Sequence, residues 1–214
     1  GINSFIKKKQ KRIVFADGED ENTLKAAIAF KNSKLGIPIL IGKEGKIKEQ
    51  IKNIGYSENF DIEIINSKDE EKRKRYVKHL FEKLQREQGL LERDCDRIIR
   101  NDRVVWATSM VACGDADGAV TGNTRRFGAS LEKIKQVVDV RKGEIMFGLN
   151  MIVNKGRTIF VADTSVHEYP TSEQMAEIAI STARVVRLFG FDPKVAFVSH
   201  STFGQPLTSR TKRS

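Results

Sequence analysis

Cysteine, proline and tryptophan are scarce in this 214-residue sequence, which contains two, four and one of them, respectively. Two cysteines are too few for a disulfide-rich secreted scaffold. No run of roughly 18 apolar residues occurs, so we expect no transmembrane helix and no membrane partner. Residues 1–12 also lack the apolar stretch of a secretory signal. These absences favour a reduced, cytoplasmic protein.

Acidic residues are missing from both ends of the sequence. The chain has 38 Lys and Arg against 28 Asp and Glu, a formal net charge of +10. Much of this excess lies in residues 1–12 and in the last residues, 209–214. A nucleic-acid-binding protein usually carries its basic residues on the folded body, beside aromatic residues. We therefore interpret the ends as solvated basic tails and expect no nucleic-acid partner.

Strand and helix patterns alternate in the first third of the chain. Short apolar runs at 13–16, 37–41 and 62–65 predict strands. Between the first two, Asp20 is placed to cap a helix that Gly36 would terminate. Isoleucines at helical spacing predict a helix between the second and third. This β–α–β–α–β order favours a parallel sheet covered by helices.

Helices dominate the next segment, and then the pattern changes. We predict a long charged helix ending near Gly89, a short helix over 93–101, a buried apolar helix over 103–113 and another helix around 131–138. Beyond a polar boundary at 139–144, the sequence predicts strands over 145–153 and 158–162, a helix starting at the Thr171–Gln174 capping box, and a strand over 195–198. The predicted regions are a basic tail (1–12), a first α/β subdomain (13–140), a second, partial α/β subdomain (141–208) and a basic tail (209–214).

Two loops carry the groups expected of an anion site. In residues 114–128, hydroxyls, a glycine and charged forks suit a phosphate or pyrophosphate group: Thr121, Gly122, Thr124, Arg125 and Arg126. In residues 199–204, which follow a predicted strand, the candidates are Ser199, Ser201, Thr202 and Gly204. Adjacent arginine side chains on an extended loop usually point apart, so we expect one of the pair to face the ligand. Taken alone, either loop is equally consistent with a polar turn.

Other reactive residue types give no catalytic site. Asp115 and Asp117 suit either an acid–base pair or a turn, and the turn is the commoner role in a glycine-rich segment. The three histidines are scattered without metal-ligand spacing, so we predict no metal site. Cys95 and Cys113 lie in helical segments, which predicts buried thiols. We assign no catalytic residue.

Four stretches resemble one known family. GDADGAVTGNTRRF, FGLNMIVNKGRTIFVADTSVHEYPTSEQMAEIAI and PKVAFVSHSTFGQP resemble the phosphate acetyl/butyryltransferase-like domain. More narrowly, they look like the version fused behind the catalytic domain of bacterial NADP-dependent malic enzymes. The opening RIVFADGEDENTLKAA is similar to that family's first strand and acidic turn. The resemblance extends over residues 10–208.

The resemblance implies a fold and a ligand. The fold would be three-layer α/β/α, with two subdomains and a cleft between them, as in phosphate acetyltransferases and in the isocitrate and isopropylmalate dehydrogenase architecture. The ligand would be acetyl-CoA or acetyl phosphate, bound in that cleft by the two loops, with no metal or cofactor belonging to this chain. It also implies pairing through the second subdomain, into a homodimer or a higher oligomer.

Two departures from the family pattern bear on activity. The segment 122–127 is shorter than the Ser/Thr-rich loop of genuine phosphate acetyltransferases. The family's Ser-Arg-Gly segment, whose nearby Asp is proposed as the base for the CoA thiol, lies beyond SHSTFG, and this sequence ends at Ser214. We therefore expect an inactive piece of a larger protein, with an incomplete second subdomain. A malic-enzyme catalytic domain using NADP or NAD and Mg or Mn would lie upstream.

Three function classes follow. The first is a regulatory, acetyl-CoA-sensing and oligomerising domain of malic enzyme, whose absent domain would oxidatively decarboxylate malate to pyruvate. The second is an active phosphate acetyltransferase, which converts acetyl-CoA and phosphate to acetyl phosphate and CoA. The third is a structural dimerisation fragment without a ligand. The departures from the family pattern favour the first.

Overall fold

The computed structural model describes residues 10–57, 60–66 and 69–198. The chain divides into two compact units, 1–139 and 140–214. Four of the predicted site residues lie outside the described residues: Ser199, Ser201, Thr202 and Gly204. The candidate site is therefore built from the first of the two predicted loops.

The first unit is an α/β fold around a parallel sheet. Its strands are β1 (Lys11–Phe15), β2 (Gly36–Ile41), β3 (Glu63–Ile65) and β4 (Gly118–Val120). Its helices are α1 (Glu21–Asn32), α2 (Glu44–Asn53), α3 (Glu70–Gln88), α4 (Glu92–Asn101), α5 (Arg103–Ala112) and α6 (Phe127–Val137). The strand order is β3-β2-β1-β4, and each neighbouring pair is parallel. The predicted β–α–β–α–β order and parallel sheet are confirmed.

Both faces of this sheet are buried, which makes three layers. Side chains alternate between the faces of a strand, so Val14 and Phe15 enter different cores. Val14 and Ile39 pack with residues of α3, α4, α5 and α6. Phe15 and Leu40 pack with the apolar sides of α1 and α2. Apolar burial on both faces stabilises the parallel sheet and leaves its edges for binding.

The helix ends largely follow the capping residues in the sequence. Asp20 caps α1 by accepting from the Thr23 N–H at 2.9 Å, as predicted. Gly89, at φ 64°, ends α3, also as predicted. The predicted end of α1 at Gly36 is wrong, because α1 ends at Asn32 and Gly36 begins β2. A Cβ on Gly36 would lie 2.6 Å from the Lys11 carbonyl oxygen, so glycine is required there for close strand packing.

The segment 114–128 is not the continuous loop that the sequence suggested. Residues 118–120 form β4, which pairs in parallel with residues 13–15 of β1. The helix α6 then begins at Phe127. A three-residue strand is too short to show an alternating pattern, so its pairing with β1 could not be read from periodicity. The loop available for binding is reduced to 121–126.

The second unit contains an antiparallel hairpin and a long helix. Strands β5 (Leu149–Asn154) and β6 (Arg157–Ala162) are joined through Lys155 and Gly156, both at positive φ. The predicted hairpin turn is confirmed. Helix α7 (Ser172–Leu188) starts at the predicted capping box, in which Thr171 accepts from the Gln174 N–H.

Two strand predictions in the second unit are wrong. The first strand starts at Leu149 rather than at 145, because β6 offers pairing partners only from Leu149 to Asn154. Residues 195–198 are not a strand, and their apolar side chains are exposed. No strand in the described part of the chain lies beside them to supply hydrogen bonds. Apolar character alone does not make a strand without such a neighbour.

Membrane spans are absent from the helices that the structure describes, since none of them is both long enough and apolar enough.

Candidate functional site

The carboxyl ends of the parallel strands bring the candidate residues together. Asp17 follows β1, Gly42 follows β2, Asn66 follows β3 and Thr121 follows β4. Phe15 pairs with Val120, so the residues after β1 and after β4 leave the sheet side by side. Ligands of open α/β sheets bind at this edge. The carboxyl edge of the sheet in the first unit is therefore the expected position of a ligand site.

Thr124 is bonded to a buried carboxylate at this edge. Its hydroxyl donates to Asp17 Oδ1 at 2.6 Å. Asp17 is 1% exposed, and Arg103 Nε lies 3.3 Å from the same oxygen. Arg103 also donates to the Thr124 hydroxyl at 3.3 Å. The Thr124 side chain thus fixes the loop to β1 and α5, a role that the sequence prediction did not include.

Arg125 and Arg126 differ in their surroundings. Arg125 Nη1 lies 2.8 Å from Asp102 Oδ2, and the Arg125 side chain is 29% exposed. Asp102 Oδ1 accepts from the N–H groups of Val104 and Val105, so this aspartate also caps α5. Arg126 stands at the start of α6 with an exposed side chain. The two neighbouring arginines are thus in unlike positions, one paired beside α5 and one in solvent.

The remaining loop residues combine a fixed backbone with an unused hydroxyl. Gly122 has φ +102°, a conformation that side chains other than glycine's rarely adopt. Asn123 donates to Asp20 Oδ1 at 2.6 Å, which ties the loop to the cap of α1. The Thr121 hydroxyl is buried and has no hydrogen-bond partner among the described residues. The loop therefore presents a preset backbone and one polar group that is available to a ligand or a water.

A cavity of about 370 Å³ opens at the same edge. Four cationic side chains of the described residues line it, namely Lys43, Arg100, Arg103 and Arg125. Its remaining lining residues are Glu19, Ile41, Gly42, Asn66, Ile99, Asn101 and Trp106. The indole N–H of Trp106 is buried without a hydrogen-bond partner in the part of the chain that the structure describes. Arg125 belongs to both the loop and the cavity.

Asp115 and Asp117 act as structural anchors on the other side of β4. Asp115 accepts from Arg75 and from the Tyr76 hydroxyl. Burial and this carboxylate raise the pKa of Tyr76 far above its ordinary value. Asp117 pairs with Lys11 and accepts from the backbone N–H of Arg12 at 2.9 Å. These contacts give both aspartates a structural role, anchoring the segment before β4 to α3 and β1, rather than the role of an acid–base pair.

Asp163 organises the loop that follows β6. It accepts from the backbone N–H groups of Gly148, Ser165, Val166 and His167, and from the His167 ring. Burial disfavours its charge, but these donors outweigh burial and lower the pKa of Asp163 to about 2. The side chain is 3% exposed. This aspartate orients a loop and offers no free lone pair for proton transfer.

The described residues contain no group of three or more His, Cys, Asp or Glu that could hold a metal ion. Cys95 is buried and Cys113 partly buried, and neither forms a disulfide. Burial raises the pKa of both thiols, so neither is an activated nucleophile.

Sequence reasoning missed the residues that support the loop. In the sequence, Asp17 belongs to the acidic turn after the first strand. Its place directly after a buried strand is nevertheless a signal for a site. Asp102 precedes an apolar helix, which is the signature of a helix cap. Lys43, Arg100 and Arg103 have no local signal, because only the fold brings them to one cavity.

Comparisons with known proteins agree with this fold. The family model described as phosphate acetyl/butaryl transferase matches residues 1–214. An NADP-dependent malic enzyme of Rhizobium meliloti is 40% identical over 209 residues, which are 97% of this chain and 27% of that protein. A phosphate acetyltransferase of Clostridium acetobutylicum is 32% identical and matches 92% of this chain and 61% of that protein. A phosphotransacetylase from Streptococcus pyogenes has a TM-score of 0.85 and 26% identity, covering 98% of this chain and 63% of that chain.

These matches confirm the resemblance seen in the sequence, including its malic-enzyme branch. The chain spans only about a quarter of the length of the malic enzymes that it matches. Its α/β fold with a parallel sheet is the fold of solved phosphotransacetylases. Because one family model accounts for the whole sequence and the fold agrees with it, the chain belongs to the phosphate acetyl/butaryl transferase family.

Proposed function

We propose that this chain is a regulatory, acetyl-CoA-sensing and oligomerising domain of a malic enzyme. In the whole protein, another domain would oxidatively decarboxylate malate to pyruvate with NADP or NAD and Mg or Mn. The 40% identity to a malic enzyme supports this proposal. Because the match covers only about a quarter of that protein, the reaction of malate would belong to the remaining part. A domain of the acetyltransferase family that is joined to a malate-decarboxylating domain would sense acetyl-CoA or acetyl phosphate.

The observation that carries the ligand proposal is the position of Arg125. Its side chain is 29% exposed, and it belongs to the same loop as Gly122, at positive φ, and Thr121, whose hydroxyl has no partner among the described residues. Asp102 engages Nη1, and a guanidinium has five N–H donors, so donors remain for a phosphate. Charge-assisted hydrogen bonds of this kind suit the phosphate groups of acetyl-CoA or acetyl phosphate without a metal. The sequence prediction for Ser199, Ser201, Thr202 and Gly204, which lie outside the described residues, stays a prediction.

Regulation would act through Asp102. This aspartate contacts Arg125 with one oxygen and caps α5 with the other. An anion that draws Arg125 away from Asp102 would change the electrostatics at the first turn of α5. Ligand binding at the loop would therefore be coupled to a central helix of the first unit, which is the physical requirement for sensing.

Calorimetric titration with acetyl-CoA tests the ligand and its site. We expect Arg125→Ala to weaken binding by about ten- to a hundredfold, as loss of one charge-assisted hydrogen bond predicts. Arg126→Ala is the matched control, because it removes the same charge from the adjacent exposed position. Binding that is unchanged in Arg125→Ala, or equally weak in both variants, would contradict the assignment.

Phosphate acetyltransferase activity is the second candidate, favoured by the relatives and solved structures that carry that name. Transfer needs a base for the CoA thiol. Burial opposes the charge on Asp115, but Tyr76 and Arg75 outweigh it and lower the pKa of this carboxyl, which makes Asp115 a weak base. We therefore expect no formation of acetyl-CoA from acetyl phosphate and CoA by this chain. Turnover that Arg125→Ala abolishes would establish the acetyltransferase instead.

A further inference from the structure

We propose that the cavity at the carboxyl edge of β1, β2 and β3 is a second ligand site, for a small organic anion with at least two phosphate or carboxylate groups. The cavity measures about 370 Å³, within the roughly 300–1,000 Å³ range of small-molecule sites. It shares Arg125 with the 121–126 loop, its other lining residues lie outside that loop, and the proposal does not depend on acetyl-CoA being the ligand of the loop.

Seven of the eleven described residues that line the cavity carry hydrogen-bond donors on their side chains. Lys43, Arg100, Arg103 and Arg125 are cationic, while Asn66 and Asn101 contribute amides. Among the described residues, Glu19 is the only acid that lines the cavity, and it is already engaged. Its carboxylate accepts from the Lys43 N–H and from Lys46, both at 2.9 Å, and these contacts lower the pKa of Glu19. A ligand that satisfies these donors must supply acceptors and negative charge.

Three of the four cationic groups, the arginines, are held by carboxylates and keep unused N–H donors. Arg100 Nε lies 2.7 Å from Asp96, Arg103 Nε lies near Asp17, and Arg125 Nη1 lies near Asp102. Each of these carboxylates engages one nitrogen of its arginine, so other N–H groups of the guanidinium remain for a ligand. Side chains fixed in this way lose little entropy on binding. The three arginines are thus positioned in advance for an anion, and the exposed Lys43 adds a fourth cation.

The spacing of these groups indicates more than one anionic group on the ligand. Lys43 follows β2, Arg100 belongs to α4 and Arg125 belongs to the loop after β4. With Arg103 of α5, four segments present cations to one cavity, and a single phosphate is too small to fill it. Trp106, Ile41 and Ile99 supply apolar wall for a short carbon skeleton, and the Trp106 indole N–H lacks a partner among the described residues. A bisphosphate or a di- or tricarboxylate matches this combination.

Tryptophan fluorescence gives a direct readout, because Trp106 is the only tryptophan in the sequence and lines the cavity. The probes are pyrophosphate, citrate and, as the single-group comparison, inorganic phosphate, in buffer without divalent metal. We expect a saturable change with pyrophosphate or citrate at concentrations at least about tenfold below those needed for phosphate. Tighter binding of pyrophosphate would assign phosphate groups, and tighter binding of citrate would assign carboxylates.

Two pairs of variants distinguish a site from general charge attraction. Lys43→Ala and Arg100→Ala should each weaken the tighter probe by about tenfold or more. Lys52→Ala and Arg93→Ala are the controls, since these exposed residues lie toward the far ends of α2 and α4 and remove the same charges. They should leave the affinity within about twofold of the parent. No saturable signal with any probe, or equal weakening in the control variants, would overturn the proposal.

The same variants keep this site separate from the acetyl-CoA proposal. Lys43 and Arg100 are not among the residues proposed to bind acetyl-CoA. Loss of pyrophosphate or citrate binding with unchanged acetyl-CoA titration in these variants supports two sites. Equal loss of both ligands would mean that the cavity and the loop form one site, and the proposal of a second site would be wrong.

Discussion

The carboxylate of Asp102 contacts both the first turn of α5 and Arg125 of the candidate loop. Its Oδ1 accepts from the first turn of α5, and its Oδ2 lies 2.8 Å from Arg125 Nη1 in the candidate loop. The loop arginine and the helix cap are therefore not independent. Any substitution at this position tests a cap and an ion pair together, and the choice of replacement separates them.

We expect Asp102→Ala to reduce the free energy of unfolding by about 1–2 kcal/mol, because both the cap and the pair are lost. Asp102→Asn should cost less than about 1 kcal/mol, since asparagine caps nearly as well and a partly exposed pair contributes little. Urea unfolding of both variants measures the difference. Equal destabilisation by the two replacements would show that the ion pair with Arg125, rather than the cap, accounts for the stability.

Asp163 makes the second unit sensitive to acid. Its pKa is lowered from 3.8 to about 2 in the folded chain. A carboxyl with a depressed folded pKa stabilises the fold above its unfolded pKa, and this contribution is lost as the pH falls from about 4 to 2. We expect Asp163→Asn to reduce the free energy of unfolding of the second unit by about 2 kcal/mol at pH 7. The deficit should shrink toward pH 2.

Urea unfolding at pH 7 and at low pH, followed by a probe in the second unit, checks this expectation. Asp192→Asn is the matched control, since Asp192 is exposed in the same unit. A deficit in Asp163→Asn that stays constant across this pH window would mean that the side chain stabilises the loop by shape rather than by charge.

The sequence predicted most of the first unit because its signals are local. Asp20 and Gly89 act within a few residues of the helix ends that they define. The alternation of apolar runs likewise predicted β1, β2 and β3. The β4 strand was missed because its three residues are stabilised by pairing with β1, about a hundred residues away in sequence.

The candidate site could be predicted only in part, for the same physical reason. A loop with Thr121, Gly122 and Arg125 is visible in the sequence as a set of anion-binding groups. The partners of this loop, Asp17 and Asp102, come from other elements and meet it only in the folded chain. The cavity cations have no common sequence motif at all.

Gly18, in the turn after β1, packs closely against the backbone of β2. A Cβ at this position would lie 2.7 Å from the Ile41 carbonyl oxygen, which is backbone and cannot move aside cheaply. We expect Gly18→Ala to destabilise the first unit by about 1–3 kcal/mol. Gly45→Ala is the contrasting control, because nothing lies within 4 Å of its Cβ and alanine favours the helix α2. Thermal unfolding should show a lower midpoint for the first variant and an unchanged or higher one for the second.

The hairpin of the second unit presents the surface that we propose for oligomerisation. Ile152 pairs with Ile159, and both are more than half exposed, as is typical of surfaces that bind other chains. Phe160 lies on the opposite face of β6, where its ring contacts Phe189 and Phe191 after α7. We propose that the face containing Ile152 and Ile159 contacts another copy of the chain.

We expect light scattering to show a dimer or a larger assembly at micromolar concentrations. Ile159→Lys should shift this assembly to monomer, because a lysine at an apolar interface leaves a buried unpaired charge. Ala176→Lys adds the same charge at an exposed position of α7 and should leave the assembly intact. Circular dichroism of both variants tests that the hairpin and helix remain folded. A monomeric parent, or an assembly that Ile159→Lys leaves unchanged while folded, would exclude this face as the interface and would remove the oligomerising part of the proposed function.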